Sequence, residues 1–259
     1  MIDSYEDFKK AFYELSGIDL NSYKENQMKR RIDSFVTKNS CNRYLDFIQL
    51  IKRNQDLYDK FVTYLTINES EFYRNPVQWK TLYTEVFPYL TKMFGNKLKI
   101  WSAACSTGDE PYSLAMVLSD FVPLSQIEII ATDLDKEVLD KAKKGYYQEK
   151  SIRGLPKHYC DKYIEDAGDG LVRVSEEIRR CVTFKEHNLL KDTYDTGFHL
   201  IVCRNVLIYF TEDAKDDIYR KFAKSLHSDG ILFVGSTEQI IGCEKYGFHS
   251  FRSFFYQKL

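Results

Sequence analysis

The chain has 259 residues, 44% hydrophobic and 29% charged, the balance of a soluble globular protein with one large or two unequal domains. Twelve glycines and five prolines are too few for a collagenous or low-complexity chain, and 37 basic against 38 acidic residues leave no global field for nucleic acid or membrane. Apolar runs stay below the roughly 18 residues of a membrane span, and Asp3, Glu6, Asp7 and Glu14 argue against a secretory or transit leader.

The six cysteines stand singly and the histidines lack an i, i+4 pair, so reduced thiols in a cytoplasmic protein are expected and a metal site is not. The first third reads as helices. One runs from about Ser4 to Leu15 and stops at Gly17. A second carries Met28, Ile32, Phe35 and Val36 on one face, with Ser22 and Glu25 as its expected capping box. Tyr44, Leu45, Ile48 and Ile51 mark a third, and Leu57, Phe61, Tyr64 and Leu65 a fourth. The spacing thus predicts an all-helical domain over 1–66, then a linker over 67–97 with a helix around Trp79–Met93.

From Leu98 the period changes. Leu98-Lys-Ile-Trp, Ile127-Glu-Ile-Ile-Ala, Phe198-His-Leu-Ile-Val-Cys and Gly230-Ile-Leu-Phe-Val-Gly are strand-sized runs. Helical stretches fall between them at about Glu110–Asp120, Lys136–Lys144 and Asp213–Leu226. Alternation of this kind predicts an α/β domain over 98–259, a mostly parallel sheet with helices on both faces. Between about 146 and 181 the order breaks into a short antiparallel insertion: helix-like Gly154–Tyr163, a Glu165–Gly170 turn, then Leu171-Val-Arg-Val. Ser250–Tyr256 reads as one added edge strand.

Three segments carry chemistry. Trp101-Ser-Ala-Ala-Cys-Ser-Thr-Gly-Asp-Glu-Pro-Tyr-Ser113 is a run of small side chains between a strand and a helix, where backbone can approach a ligand. Only Gly108 fits a dinucleotide fingerprint, and Asp109 and Glu110 at the helix start disfavour phosphate and suit a cationic or hydroxyl-bearing ligand. An ordinary helix start with acids on its dipole is the alternative. Asp133 ends the second strand, where doubly wound folds bind ribose hydroxyls, although it could equally cap the next helix. Arg204 and Asn205 follow the third central strand, with Tyr209 five residues on; the alternative pairs Arg204 with a surface acid and packs Tyr209 away.

With Asn68-Glu-Ser-Glu-Phe-Tyr-Arg74, Ala131-Thr-Asp-Leu-Asp135 and Cys203-Arg-Asn-Val-Leu-Ile-Tyr-Phe210 in order, the chain resembles the CheR family of chemotaxis-receptor glutamate methyltransferases. The resemblance spans nearly the whole chain. It implies a Rossmann-like domain binding S-adenosylmethionine and methyl esterification of receptor glutamates, with S-adenosylhomocysteine as by-product. It implies that Asn68, Ser70 and Arg74 meet the methionine end and the active site, Ser70 keeping a hydroxyl where the family usually has threonine. Glu110 then lies by the amino-acid moiety, Asp133 by the ribose, and Asn188 and Leu189 by the adenine. The resemblance implies Arg204, Asn205 and Tyr209 around the transferable methyl, where Arg204 is expected to hold the incoming carboxylate and Tyr209 to orient it.

Basic residues of the second helix, Lys29, Arg30 and Arg31 foremost, either form a solvated face or, as the resemblance implies, face the receptor's acidic cytoplasmic bundle. The resemblance implies that members docking on a receptor tether peptide do so through the antiparallel insertion with a longer turn than Glu165–Gly170, so an enzyme independent of the tether is expected, and a monomer. Two rivals are a nucleic-acid methyltransferase of the same fold and a non-catalytic S-adenosylmethionine-binding regulator. Arg204 suits an anionic nucleophile better than a base amine, which disfavours the first. Intact Arg204 and Tyr209 disfavour the second.

Overall fold

A computed structural model describes residues 4–259, which divide into two compact units. The first runs through Asn68 and takes in Tyr209–Asp217; the second comprises Glu69–Ile208 and Ile218–Leu259. The sequence boundaries shift accordingly. The linker stretch belongs with the larger unit from Glu69, and nine residues expected in the methyltransferase domain belong with the helices.

In the helical unit, α1 (Tyr5–Ser16) is capped by the Ser4 side chain and ends at Gly17 in the left-handed region. Helices α2 (Glu25–Lys38), α3 (Tyr44–Arg53) and α4 (Gln55–Thr66) follow. Their apolar stripes meet in an aromatic core, with Phe61 5.2 Å from Phe12, 4.9 Å from Phe47 and 5.1 Å from Phe35 between ring centroids. The expected capping box is absent. Ser22 lies in a 3-10 turn, and its carbonyl accepts from the Thr211 amide at 2.9 Å. The Lys24 amide donates to the Tyr209 carbonyl at 2.9 Å, and Tyr23 bridges to Phe210 with its ring 4.9 Å away. The Ser22 amide, which a capping box would have given to Glu25, is spent on the Asp19 carbonyl at 3.2 Å.

In the larger unit the expected Trp79–Met93 helix is interrupted. Helix α5 (Pro76–Thr81) passes through a π turn, Leu82–Val86, into α6 (Phe87–Phe94). Pro88 has no amide to give, so the ladder widens by one residue there.

The chain then runs β1 (Lys99–Ala103), α7 (Asp109–Leu118), β2 (Glu128–Asp133), α8 (Lys136–Lys144) and β3 (Tyr146–Gln148). Next come α9 (Lys157–Tyr163), β4 (Ile164–Gly168), β5 (Leu171–Val174), α10 (Glu176–Arg179), β6 (Val182–Glu186) and β7 (Phe198–Cys203). Helix α11 (Glu212–Ser225), β8 (Leu226–Val234), β9 (Phe248–Arg252) and β10 (Phe255–Lys258) complete it.

Seven strands form one sheet in the order β6-β2-β1-β7-β8-β10-β9, with β6, β2, β1, β7 and β8 parallel and β10 and β9 antiparallel. The expected single edge strand is therefore a hairpin. Ile100, Ile129, Leu200 and Phe233 are buried in the same core as Leu114–Leu118 of α7. That helix is apolar nearly all round because it is buried nearly all round. The insertion forms a second antiparallel sheet, β3-β5-β4. Most of the expected Glu165–Gly170 turn is strand, leaving Asp169 (φ 52°) and Gly170 (φ 71°) as a two-residue reversal.

Candidate active site

The strand order turns at β1, which pairs with β2 on one side and β7 on the other. Loops leaving the carboxyl ends of β1 and β7 therefore part around a crevice, the place where doubly wound sheets bind ligands. After β1 the backbone makes an unusual path: Ala104 (φ 59°), Ser106 (φ 48°) and Gly108 (φ 90°) all adopt left-handed conformations. Tyr73 (φ 55°), Asn75 (φ 62°) and Asn205 (φ 61°) do the same. Such conformations cost about 1–3 kcal/mol each in non-glycine residues and cluster at functional sites. Gly108 answers to protein packing, since a Cβ there would lie 2.9 Å from the Ala142 Cβ of α8.

Asp133 closes β2 and is buried. Its Oδ2 accepts from the Ser106 amide at 2.8 Å and its Oδ1 from the Asp135 amide at 3.0 Å. Burial pushes its carboxyl up to about 6. The next helix is capped instead by Asp135, whose Oδ1 accepts from Glu137 at 2.9 Å, so the capping alternative for Asp133 falls. Asn188 and Leu189 lie beside this point, because the His187 amide donates to the Asp133 carbonyl at 2.9 Å. Asn188 Oδ1 accepts from the Leu190 amide at 2.9 Å, which folds its turn, and Leu189 is buried.

Glu110 accepts from the Ser102 hydroxyl at 2.8 Å and from Arg204 Nη1 at 3.3 Å. Burial raises its carboxyl while Arg204 opposes the rise. Asp109 is buried and raised in the same way, with Thr107 Oγ1 donating to it at 2.6 Å and Ser70 also hydrogen-bonded to it. Arg204 is a buried hub, its side chain 2% exposed. Nη2 donates to the Arg74 carbonyl (2.8 Å), Asn75 Oδ1 (3.2 Å) and Gln78 Oε1 (2.8 Å). Arg204 therefore pairs with an interior acid, not the surface acid of the alternative reading. Arg74 is half-buried, and its Nη1 donates to the Glu69 carbonyl at 3.1 Å.

Ser70, Arg74, Glu110 and Arg204 are thus joined by hydrogen bonds through Asp109, Asn75 and Gln78 and their flanking backbone. Asn205 follows in the loop after β7. Asn68 and Tyr209 fall in the helical unit, and their expected roles rest on the resemblance alone. Sequence reasoning passed over Asn75, Gln78 and Ser102, which hold the Arg204–Glu110 pair, and Tyr147, whose hydroxyl donates to the Thr107 carbonyl at 2.6 Å. These are contacts between distant segments that no local spacing announces. Burial pushes the thiols of Cys105 and Cys203 well up, so neither is a thiolate nucleophile.

The residues suit a cation carrying hydroxyls. Buried Asp109 and Asp133 and the largely buried Glu110 surround the β1 loop against one buried guanidinium, and Ser106 Oγ, Gln78 Nε2 and Arg204 Nε are buried without a hydrogen-bond partner. Asp133 and Glu110 could hold the ribose and amino-acid ends of such a ligand. Among the described residues no group of His, Cys, Asp and Glu is arranged to hold a metal. No described helix is long and apolar enough to cross a membrane.

In the helical unit, Lys29 pairs with Asp33 at 2.8 Å. Arg31 donates to the Tyr64 carbonyl and lies 4.6 Å over that ring, so it packs within the unit. Arg30 is exposed.

A family model described as "CheR methyltransferase, SAM binding domain" matches residues 68–253, and one described as "CheR methyltransferase, all-alpha domain" matches 3–66. A chemotaxis protein methyltransferase of Listeria monocytogenes is 43% identical over 242 residues, covering 93% of this chain and 92% of that one. Chemotaxis protein methyltransferase 1 of Vibrio cholerae is 34% identical over 249 residues, 92% of this chain and 90% of its own. A TehB-like SAM-dependent methyltransferase structure from Corynebacterium glutamicum covers 70% of this chain and 92% of its own, at 17% identity and a TM-score of 0.39.

Proposed function

Because the chain belongs to the CheR family of S-adenosylmethionine-binding chemotaxis methyltransferases, we propose that it esterifies glutamate side chains on the cytoplasmic bundle of chemotaxis receptors. The observation that carries this finer reading is the buried Arg204 guanidinium paired with Glu110 at 3.3 Å, with the charge of Arg74 near enough to act on it. Two cations on adjoining segments, one before α5 and one after β7, favour an anionic acceptor over a neutral amine.

S-adenosylmethionine, when bound, supplies a methyl group on a positively charged sulfur. Asp133 and Glu110 would hold its ribose and amino-acid ends, and the left-handed β1 loop would offer backbone to orient it. A glutamate carboxylate, with an ordinary pKa near 4.3, is already ionised at neutral pH, so the site needs no general base. Its task is to hold nucleophile and methyl in line and exclude water, and positioning of this kind is worth about 7–11 kcal/mol. Because Glu110, Arg74, Asn75 and Gln78 occupy Nη1 and Nη2 of the buried Arg204, leaving only Nε without a partner, the grip on the carboxylate passes in this reading to the more exposed Arg74. Arg204 positions Arg74 from behind. The receptor-facing role narrows likewise to Arg30, as Lys29 and Arg31 are engaged inside the unit.

The test is transfer of labelled methyl from S-adenosylmethionine to a receptor cytoplasmic fragment, followed by mild base. Label released as methanol supports an ester and hence this reading. Label that survives base, or appears on nucleic acid, or no transfer at all, overturns it. Receptor with and without its C-terminal tail should be methylated equally fast, consistent with the short reversal at Asp169 and Gly170.

A further inference from the structure

Glu238 follows β8 in the segment Gly235-Ser-Thr-Glu and is 5% exposed. All of its observed hydrogen bonds come from backbone. Oε2 accepts from the Asn205 amide at 2.7 Å and the Gly235 amide at 2.8 Å. Oε1 accepts from the Leu207 amide at 2.7 Å and the Ile208 amide at 3.3 Å. Three of the four donors belong to the loop that leaves β7 and carries Arg204 and Asn205. Asn205 stands at φ 61°, a conformation that persists only where its surroundings over-determine it. Hydrogen bonds to an ionised acceptor are roughly twice as strong as neutral ones, so one carboxylate can impose that path.

Gly235 gives an independent sign that the space is reserved for this contact. A Cβ there would lie 2.4 Å from Glu238 Oε2 and 2.9 Å from the Asn205 nitrogen. Only a residue without a side chain lets the carboxylate and the loop backbone meet.

We propose that Glu238 is a positioning residue for methyl transfer: its carboxylate clamps the amides of Asn205, Leu207 and Ile208 and so fixes the exit of Arg204 from β7 and, through Arg204, the placement of Arg74. This rests on the reading that Arg74 meets the acceptor carboxylate. Glu238 is acceptor-only when ionised. A glutamine must turn an NH2 towards one of the two amide pairs, setting donor against donor, so the isosteric replacement should fail although it fills the same volume.

The experiment uses the full chain with Glu238→Gln and Gly235→Ala. In both, kcat on receptor fragment at saturating cofactor should fall by about 30- to 100-fold, the scale of a misplacement near 1 Å. Stoichiometry for S-adenosylhomocysteine by calorimetry should stay at the parent value, and affinity should fall far less than kcat, since Asp133 lies apart from the clamp and Glu110 is reached only through Arg204. Hydrogen exchange at the Asn205, Leu207 and Ile208 amides should accelerate in both variants. Parental kcat in either variant, unaltered exchange, or a kcat loss matched by lost binding stoichiometry each overturns the proposal. If the parent itself yields no base-labile methyl product, the functional reading fails, while the exchange measurement still decides whether Glu238 holds the loop.

Discussion

At the scale of single residues, the site is governed by what burial does to charge. Asp133 is raised to about 6 from an ordinary 3.8, so the folded chain holds this proton more tightly than the unfolded one. Its contribution to stability is therefore fully present at acid pH and lost as pH rises through about 6. Ligand binding runs the other way, because a ribose hydroxyl or a cation prefers the ionised form. Affinity for S-adenosylhomocysteine should accordingly fall as pH drops through about 6, and Asp133→Asn should flatten the profile and weaken binding by about 10- to 100-fold. Calorimetry across that range checks it, and a pH-independent affinity in the parent would count against the assignment. Arg204→Ala should do more than slow turnover. It leaves the Glu110 carboxylate buried without its cation, which typically costs about 3–5 kcal/mol, so denaturant unfolding should show the loss directly.

At the scale of elements, the proposed reading gives helix α2 a receptor-facing side at Arg30 and a packing side at Arg31. Arg30→Glu should raise the KM for receptor and leave kcat and thermal midpoint in place, whereas Arg31→Glu, against the Tyr64 ring, should lower the midpoint. Initial rates against receptor concentration, paired with thermal melts, distinguish the two. Elements were legible in the sequence where punctuation was local. Helix α8 was expected and found at Lys136–Lys144, because Asp135 starts it and Gly145 stops it. The terminal hairpin was not, since its reversal uses Phe254 at φ 70° in place of the glycine or asparagine that normally marks such a turn. The π turn before α6 was equally silent. Its cause, Pro88, reads in sequence as a kink or a stop, not as one widened turn.

At the scale of the whole molecule, the chemistry-bearing loops were legible because a strand-helix alternation sends each of them to one sheet edge, so Glu110, Asp133 and Arg204 could be named from position alone. Glu238, Gln78 and Asn75 could not. Glu238 acts on amides some 30 residues away and the other two on a guanidinium more than 120 residues away, separations at which no periodicity carries information. The same reason hid the Tyr209–Asp217 segment, which sits among helices that begin at Tyr5. A fragment ending at Asn68 lacks the Phe210 ring and the two backbone bonds at Ser22 and Lys24, so its melting midpoint should lie below that of the same helices in the full chain, as circular dichroism would show. Synthesis gives that bridge a further meaning. Helices α1–α4 leave the ribosome well before their last backbone partners, which are translated some 140 residues later, so the nascent small unit must wait, incompletely closed, for most of its larger companion to be made.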